Sequence, residues 1–462
     1  MTKIRQKKMA KWKLKINNLS QGGYCSSYWL GDYPAFGNSN QLASMVSCDL
    51  TNPSYITQGK GLATITGTVD QLIKGILNNV HIADKSVGVG GTKVYEITAT
   101  TVTSKTIGTI TGGEDVALYG GELFYSWNTN IGKTSTAFTS PDEDWWSTTA
   151  SGAALTTSIP HQLVVAGTTG LMTVLNGSVI ASWNGTTAVD TAFDSKDTDI
   201  VLVSQVWNQD RFWVAGNKPN ASGRNDSSIF IWDSASGSSW ESRIRVNGKI
   251  GALFVKNGVT FVWYQKNLSE GVITLGYCDG TQLKDIANYK GSLPSYYQVC
   301  DYEDFILWAS GTTLMAWGGG DLKLNTRIFT LGLCGAGGLA NPFGTPITAS
   351  AAKLEKFSGY TITSSWKTLL FDTTSEGRKS MIDKLSFNFE KLATGASIAY
   401  TLKDNKGASL HTGTIDTVGA THKDFYPKCL CENFRIEMDS SGGSDTNPVS
   451  IKDIKITGHS IL

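Results

Sequence analysis

Acids, arginines, histidines and cysteines are the groups with which this sequence could do chemistry. Asp142, Glu143 and Asp144 precede Trp145 and could supply the carboxylate pair of a glycoside hydrolase, although contiguous acids before an aromatic more often form a solvated turn. Asp301, Glu303 and Asp304 read the same way. Arg243 and Arg245 flank Ile244, so in a strand they share one face, as a site gripping a substrate carboxylate would require; an exposed strand edge gives the same spacing. The remaining arginines of this region are Arg211, Arg224 and Arg327. His81, His161, His411, His422 and His459 are far apart and form no metalloprotease motif, and no nucleophile elbow is present. Cys429 and Cys431 would share a strand face, but a zinc site needs two further ligands and only His422 is near in sequence. The other five cysteines are scattered without a CxxC pair, which predicts reduced structural thiols. Gly88 to Gly91 and Gly318 to Gly320 lack the helix and lysine of a phosphate loop and read as tight turns. These patterns predict no catalytic residue, no metal site, no cofactor and no enzyme.

The elements that hold these residues repeat. From about residue 60 to about 350, β-branched or aromatic runs pair across Gly/Asn/Asp turns: Val116 to Trp127, Leu163 to Leu175, Val201 to Val214, Leu253 to Tyr264 and Phe305 to Trp317. The first unit spans Leu72 to Val80 and a hairpin from Val87 to Ile97. Each hairpin is too small to bury its own apolar face, so copies spaced by about 40 to 50 residues predict blades around an axis. Fifty glycines and only 17% charged residues agree with a loop-rich all-β protein. Fourteen tryptophans are expected mostly inside blade faces, with exposed sugar-stacking platforms as the alternative. Asp233 to Trp240 is similar to the aspartate box of sialidase propellers, but Ala235 stands where that box has Asp.

Beyond about residue 355 the runs lengthen and alternate: Trp366 to Phe371, Ile382 to Phe389, Ser397 to Leu402, Phe434 to Met438 and Val449 to Ile456. Half-buried antiparallel strands in this number predict a β-sandwich. The expected fold is therefore all-β: an extended basic N-terminal arm (1–60), a β-propeller of six or seven blades, one of them incomplete (61–355), and a C-terminal β-sandwich (356–462).

Charge is distributed unevenly. The net charge is +1, yet the first fifteen residues carry Lys3, Arg5, Lys7, Lys8, Lys11, Lys13 and Lys15 with no acid, which leaves −6 on the remainder. These seven cations are the candidate partner-binding residues, suited to an acidic surface or nucleic acid. Lys13 and Lys15 interrupt Trp12, Leu14 and Ile16, so the arm does not read as a signal peptide. No run is long enough to span a bilayer, and synthesis in a cytoplasm is expected.

The order of parts resembles the β-propeller tail proteins of tailed bacteriophages, of the tail nozzle (tail tubular protein B) type. The resemblance rests on Asn52-Pro53-Ser54-Tyr55, on Gly59-Lys60-Gly61-Leu62 and on the hairpin Gln209 to Gly216. It continues in Ser375 to Lys379 running into Ile382 to Leu385, and in Phe434 to Met438 followed by Asn447-Pro448-Val449. It implies a structural virion protein: a homo-oligomeric ring, sixfold or twelvefold, joining portal or adaptor to distal tail around the genome exit path. DNA would pass without specific binding, and the resemblance transfers no catalytic residue. Two other readings stand beside it, a carbohydrate-binding or glycan-cleaving propeller and a cellular interaction scaffold.

Overall fold

The computed structural model describes residues 11–16 and 42–461, apart from Pro53, 168–169, 220–224, 236, 267, 269–270, 319–327, 362, 373–378 and 445. The strands of the five hairpins expected from the sequence pair as predicted. In the first, Tyr119 pairs with Glu122 across Gly120 and Gly121, whose φ angles of 57° and 80° make the turn whose twist matches that of paired strands. Gln209 and Asp210 (φ 52° and 57°) make the equivalent turn without glycine.

Apolar side chains project from both faces of these strands. In Asn225–Trp232, Ile229 and Ile231 join one core while Phe230 and Trp232 join another; in Val259–Gln265, Phe261 and Trp263 separate from Val262 and Tyr264 in the same way. A sheet buried on both faces needs a neighbour on each side.

The result is a seven-bladed β-propeller. Three blades are four-stranded antiparallel sheets, Leu163–Ala166 to Ala188–Asp194, Val201–Asn208 to Ser242–Asn247, and Lys249–Lys256 to Leu283–Lys290; the first, Gly75–Ile76 to Val102–Lys105, has four short strands. The second has three strands, Asp115–Tyr119, Glu122–Trp127 and Asn130–Ser135, and is the incomplete one. A short helix, Trp145–Thr148, follows it and buries Trp145 and Trp146 against the third blade. The sixth blade runs from Val299–Tyr302 to Ile328–Leu333.

The seventh blade closes the ring. Its three inner strands, Leu339–Ala340, Ile347–Ala349 and Leu354–Tyr360, come from the end of the propeller sequence, and its outermost strand, Lys60–Thr64, comes from the beginning. Ala340, Ile347, Ala349 and Leu354 then pack on Ile73, Tyr95 and Ile97 of the first blade.

The C-terminal domain is a two-sheet sandwich, as expected, but it is built from both ends of the chain. One sheet has Ser450–Ser460 and Ser380–Phe389 at its centre, with Cys48–Asp49, Ile56–Gln58 and Lys11–Ile16 on one side and His422–Phe425 and Cys429–Cys431 on the other. The second orders Leu42–Val46, Thr363–Thr368, Asn433–Ser441, Ser397–Lys403 and Ser409–Ile415. Residues 1–60 are therefore not simply an extended arm. Lys11–Ile16 is an antiparallel edge strand whose Trp12 lies over Gly458 and stacks on Phe434 at 6.4 Å. The alternation of Trp12, Leu14 and Ile16 that excludes a signal peptide is the pattern of a strand with one buried face. The propeller correspondingly begins at Lys60 and ends at Tyr360.

Propeller and sandwich share one core, in which Phe305, Leu307, Phe329 and Leu331 of the sixth blade join Leu42, Ile382, Leu385 and Ile436 of the sandwich. The chain crosses between the two parts twice at one place. At that crossing the Gly59 amide donates to Ser47, and the Thr361 amide donates back to Gly59 at 2.7 Å. A Cβ on Gly59 would meet the carbonyls of Leu331 and Ser47, which belong to backbone and cannot turn aside. Gly59→Ala is expected to cost about 1–3 kcal/mol through overpacking, whereas Gly167→Ala, with open space around it, should be near neutral; paired thermal unfolding curves check both.

Candidate functional site

The innermost strands of the blades surround an axial channel, and one short element crosses it. Ahead of the sixth blade, Tyr296–Gln298 forms a single 3₁₀ turn capped reciprocally by Ser295 and Gln298. This turn touches the innermost strands of the fourth, fifth and seventh blades. The Tyr296 hydroxyl reaches across to the carbonyl of Glu114 in the second, at 3.4 Å. Tyr296 and Tyr297 thereby line two chambers. One, of about 440 Å³, lies where the inner strands begin and is bordered by Lys74, Glu114, Asn217 and Lys249. The other, of about 400 Å³, lies farther along those strands and is bordered by Asn78, Asp115, Gln162 and Val299.

Adjacent acids at the start of Asp115–Tyr119 meet different fates. Glu114 forms an ion pair with Lys74 at 2.5 Å. Asp115 accepts hydrogen bonds from the amides of Val116 and Leu163, both at 2.9 Å, and no ion pair reaches it among the described residues. Burial pushes its carboxyl up to about 7, against those two amide bonds and with a further upward push from Glu114. Gly75 makes room for it, since a Cβ there would overlap the Asp115 backbone and carboxylate. Burial, reinforced by Asp115 and Glu114, raises the Tyr296 phenol well above its usual range, so the hydroxyl stays a neutral donor.

The residues singled out from sequence do not converge. Asp142 pairs in a bridge with Lys133 and accepts from Thr149, Asp144 accepts from Asn130, and Glu143 lies beside Gly108; the trio forms the turn into the Trp145 helix. Asp301, Glu303 and Asp304 surround a hairpin turn whose Glu303 carbonyl accepts from Lys256. Arg243 and Arg245 lie on the outermost strand of the fourth blade, where Arg243 bonds Ser228 and lies over Phe230. Arg211 pairs with Glu241, while Arg224 and Arg327 lie outside the described residues. Cys429 and Cys431 both turn away from solvent while Leu430 is exposed, and among the described residues no three metal-binding side chains come together. Lys11, Lys13 and Lys15 point to solvent from the edge strand, and Lys15 approaches Asp453 at 4.0 Å; Lys3, Arg5, Lys7 and Lys8 lie outside the described residues. Asp115 and Tyr296 escaped sequence reading because an acid opening a strand and a tyrosine pair before one carry no motif.

A third cavity, of about 560 Å³, opens at the junction of propeller and sandwich. Lys60 pairs there with Asp49 at 3.2 Å and sits 4.7 Å from the centre of the Tyr360 ring. Burial lowers the Lys60 ammonium, but Asp49 and Tyr360 outweigh it and the net shift is upward. Among the described residues, no helix is long and apolar enough to cross a membrane.

No family model and no curated protein matches the sequence. Among solved structures, the WD40 domain of Neurospora crassa Pan2 is similar at 7% identity and a TM-score of 0.45, over 66% of this chain and 98% of that one. YCF48 from Cyanidioschyzon merolae is similar at 11% identity and 0.43, over 64% and 98%. An exo-beta-1,3-galactanase from Phanerochaete chrysosporium reaches 8% and 0.33, over 87% and 100%. At these values the likenesses carry no inference about activity.

The raised Asp115 carboxyl has a definite sign in stability. Between about pH 4 and pH 7 the unfolded chain ionises this group and the folded chain does not, so its contribution falls as pH rises, by at most about 1.4 kcal/mol per pH unit. Asp115→Asn loses one acceptor at every pH, but its stability relative to the parent should improve steadily from pH 4 to pH 7. Denaturant melts across that range check the slope, and a flat difference contradicts the assignment.

Proposed function

We propose that this protein is a structural subunit of the tail of a tailed bacteriophage, of the nozzle or neck kind. Made in the host cytoplasm and resident in the virion, it acts without catalysis. Copies associate in a ring, most simply a hexamer, that joins portal or adaptor to the distal tail around the genome exit path. The observation that carries this reading is the single apolar core running from the sixth blade into the sandwich, fastened by two chain crossings at one point. Such a joint makes the two domains one stiff block, which a ring under mechanical stress requires.

Two further features favour it. The axis of each propeller is obstructed by Tyr296, so a genome path would run between copies rather than through one. Lys11, Lys13 and Lys15 form a basic row on an exposed sheet edge, where they discourage indiscriminate strand pairing and suit an acidic partner surface. The glycan-reading alternative needs exposed indole platforms, and every described tryptophan is buried or half-buried.

Imaging and native mass measurement of the purified protein are expected to find closed rings. A species that stays monomeric at all accessible concentrations overturns the proposal. Replacing Lys11, Lys13 and Lys15 together by Glu should leave the fold intact and weaken docking to the neighbouring ring in a salt-dependent way.

A further inference from the structure

We propose that the axial chamber floored by Asp115 is a binding site for an alkylammonium group, supplied either by a free amine or by the lysine side chain of a partner polypeptide. The inference concerns the inside of the propeller and is independent of ring formation. It starts from an unbalanced charge. Asp115 is held by two backbone amides, borders a cavity of about 400 Å³ and has no cationic partner among the described residues. The charged and titratable groups that face it are Glu114 beside it in sequence, Tyr296 from the crossing turn, and Lys74 of the first blade, whose ammonium is taken by Glu114. Asp115 is half-buried, and a carboxylate with restricted access to water gains from an incoming cation.

The surroundings match such a ligand. Tyr296 and Tyr297 form part of the wall, and aromatic side chains attract an ammonium group. Gln162 and the exposed Asn78 and Asn79 add amide groups, and Leu77, Leu118 and Val165 add partly exposed aliphatic side chains that suit the methylene stem of an amine. The volume falls within the range of small-ligand sites, about 300–1,000 Å³. Gly75 leaves the space that the carboxylate occupies.

Binding should be linked to protons. A cation favours the ionised carboxylate, and because burial pushes Asp115 up to about 7, affinity should be nearly level above that pH and fall about tenfold per unit below it.

Calorimetric titration of the full chain with n-butylamine, with n-butanol as the neutral isostere, tests this. At pH 8 the amine is expected to bind at least tenfold more tightly than the alcohol, with the preference lost by pH 5 and absent in Asp115→Asn. Equal affinities, no amine binding, a preference unchanged at pH 5, or one retained by a folded Asp115→Asn overturns the proposal. The pH series uses the unaltered protein, so the test survives even if the variant does not fold. Nα-acetyl-lysine methylamide separates the sources: binding by it as well as by n-butylamine supports a partner side chain, and binding by n-butylamine alone supports a free amine.

Discussion

Strand Lys60–Thr64 makes its hydrogen bonds to Leu354–Tyr360, and the ring is closed through that pairing. Closing a loop of about 290 residues costs on the order of 5 kcal/mol of chain entropy beyond the constant term, which one short strand pair cannot supply. The cost is met collectively. Each blade carries apolar side chains on both faces, so in an open arc the two terminal blades would each leave one face in water. Joining the seventh blade to the first buries both, with Ile73, Tyr95 and Ile97 meeting Ile347, Ala349 and Leu354.

The same pairing fixes the sandwich. Residues just before Lys60 and just after Tyr360 enter opposite sheets of the sandwich, so the ends of the propeller sequence are held by a second domain as well as by each other. Glycine at position 59 is what lets the crossing strands approach, with Leu331 of the sixth blade on one side and Ser47 of the sandwich on the other. Parting the strands there would expose the shared core around Phe329, Leu331 and Leu42, which ties local opening to global unfolding.

Much of this was legible in the sequence, and the rest was not for definite reasons. Hairpins announced themselves because their turns need residues tolerant of positive φ, as at Gly120-Gly121 and Asn257-Gly258, between runs rich in β-branched and aromatic residues. The long sandwich strands showed because their period is strict, as in Ser397–Lys403. The N-terminal strands were hidden because Cys48–Asp49 and Ile56–Gln58 are too short to show any period, and Lys11–Ile16 is dominated to the eye by its lysines although its apolar face alternates correctly. That outer strand of the last blade is completed by residues near the start of the chain is a fact of pairing, and pairing leaves no local mark.

The axis was the least legible part, for a reason that extends to function. A propeller's inner strands converge from every blade, so residues far apart in sequence become neighbours there, as Lys74, Asp115 and Tyr296 do. The capped turn that carries Tyr296 into the channel is anchored there: the Gln298 side-chain amide donates to the carbonyl of Ala336 at 2.8 Å, and the turn packs on the first strand of the seventh blade. Once there, Tyr296 lies close enough to Asp115 for the two groups to raise each other's cost of ionising, and both border the same chamber. A carboxylate in that position accepts two backbone amides and yet borders a cavity. Its ionisation is set by burial working against two amide hydrogen bonds, a balance that no single strand of the propeller carries in its sequence.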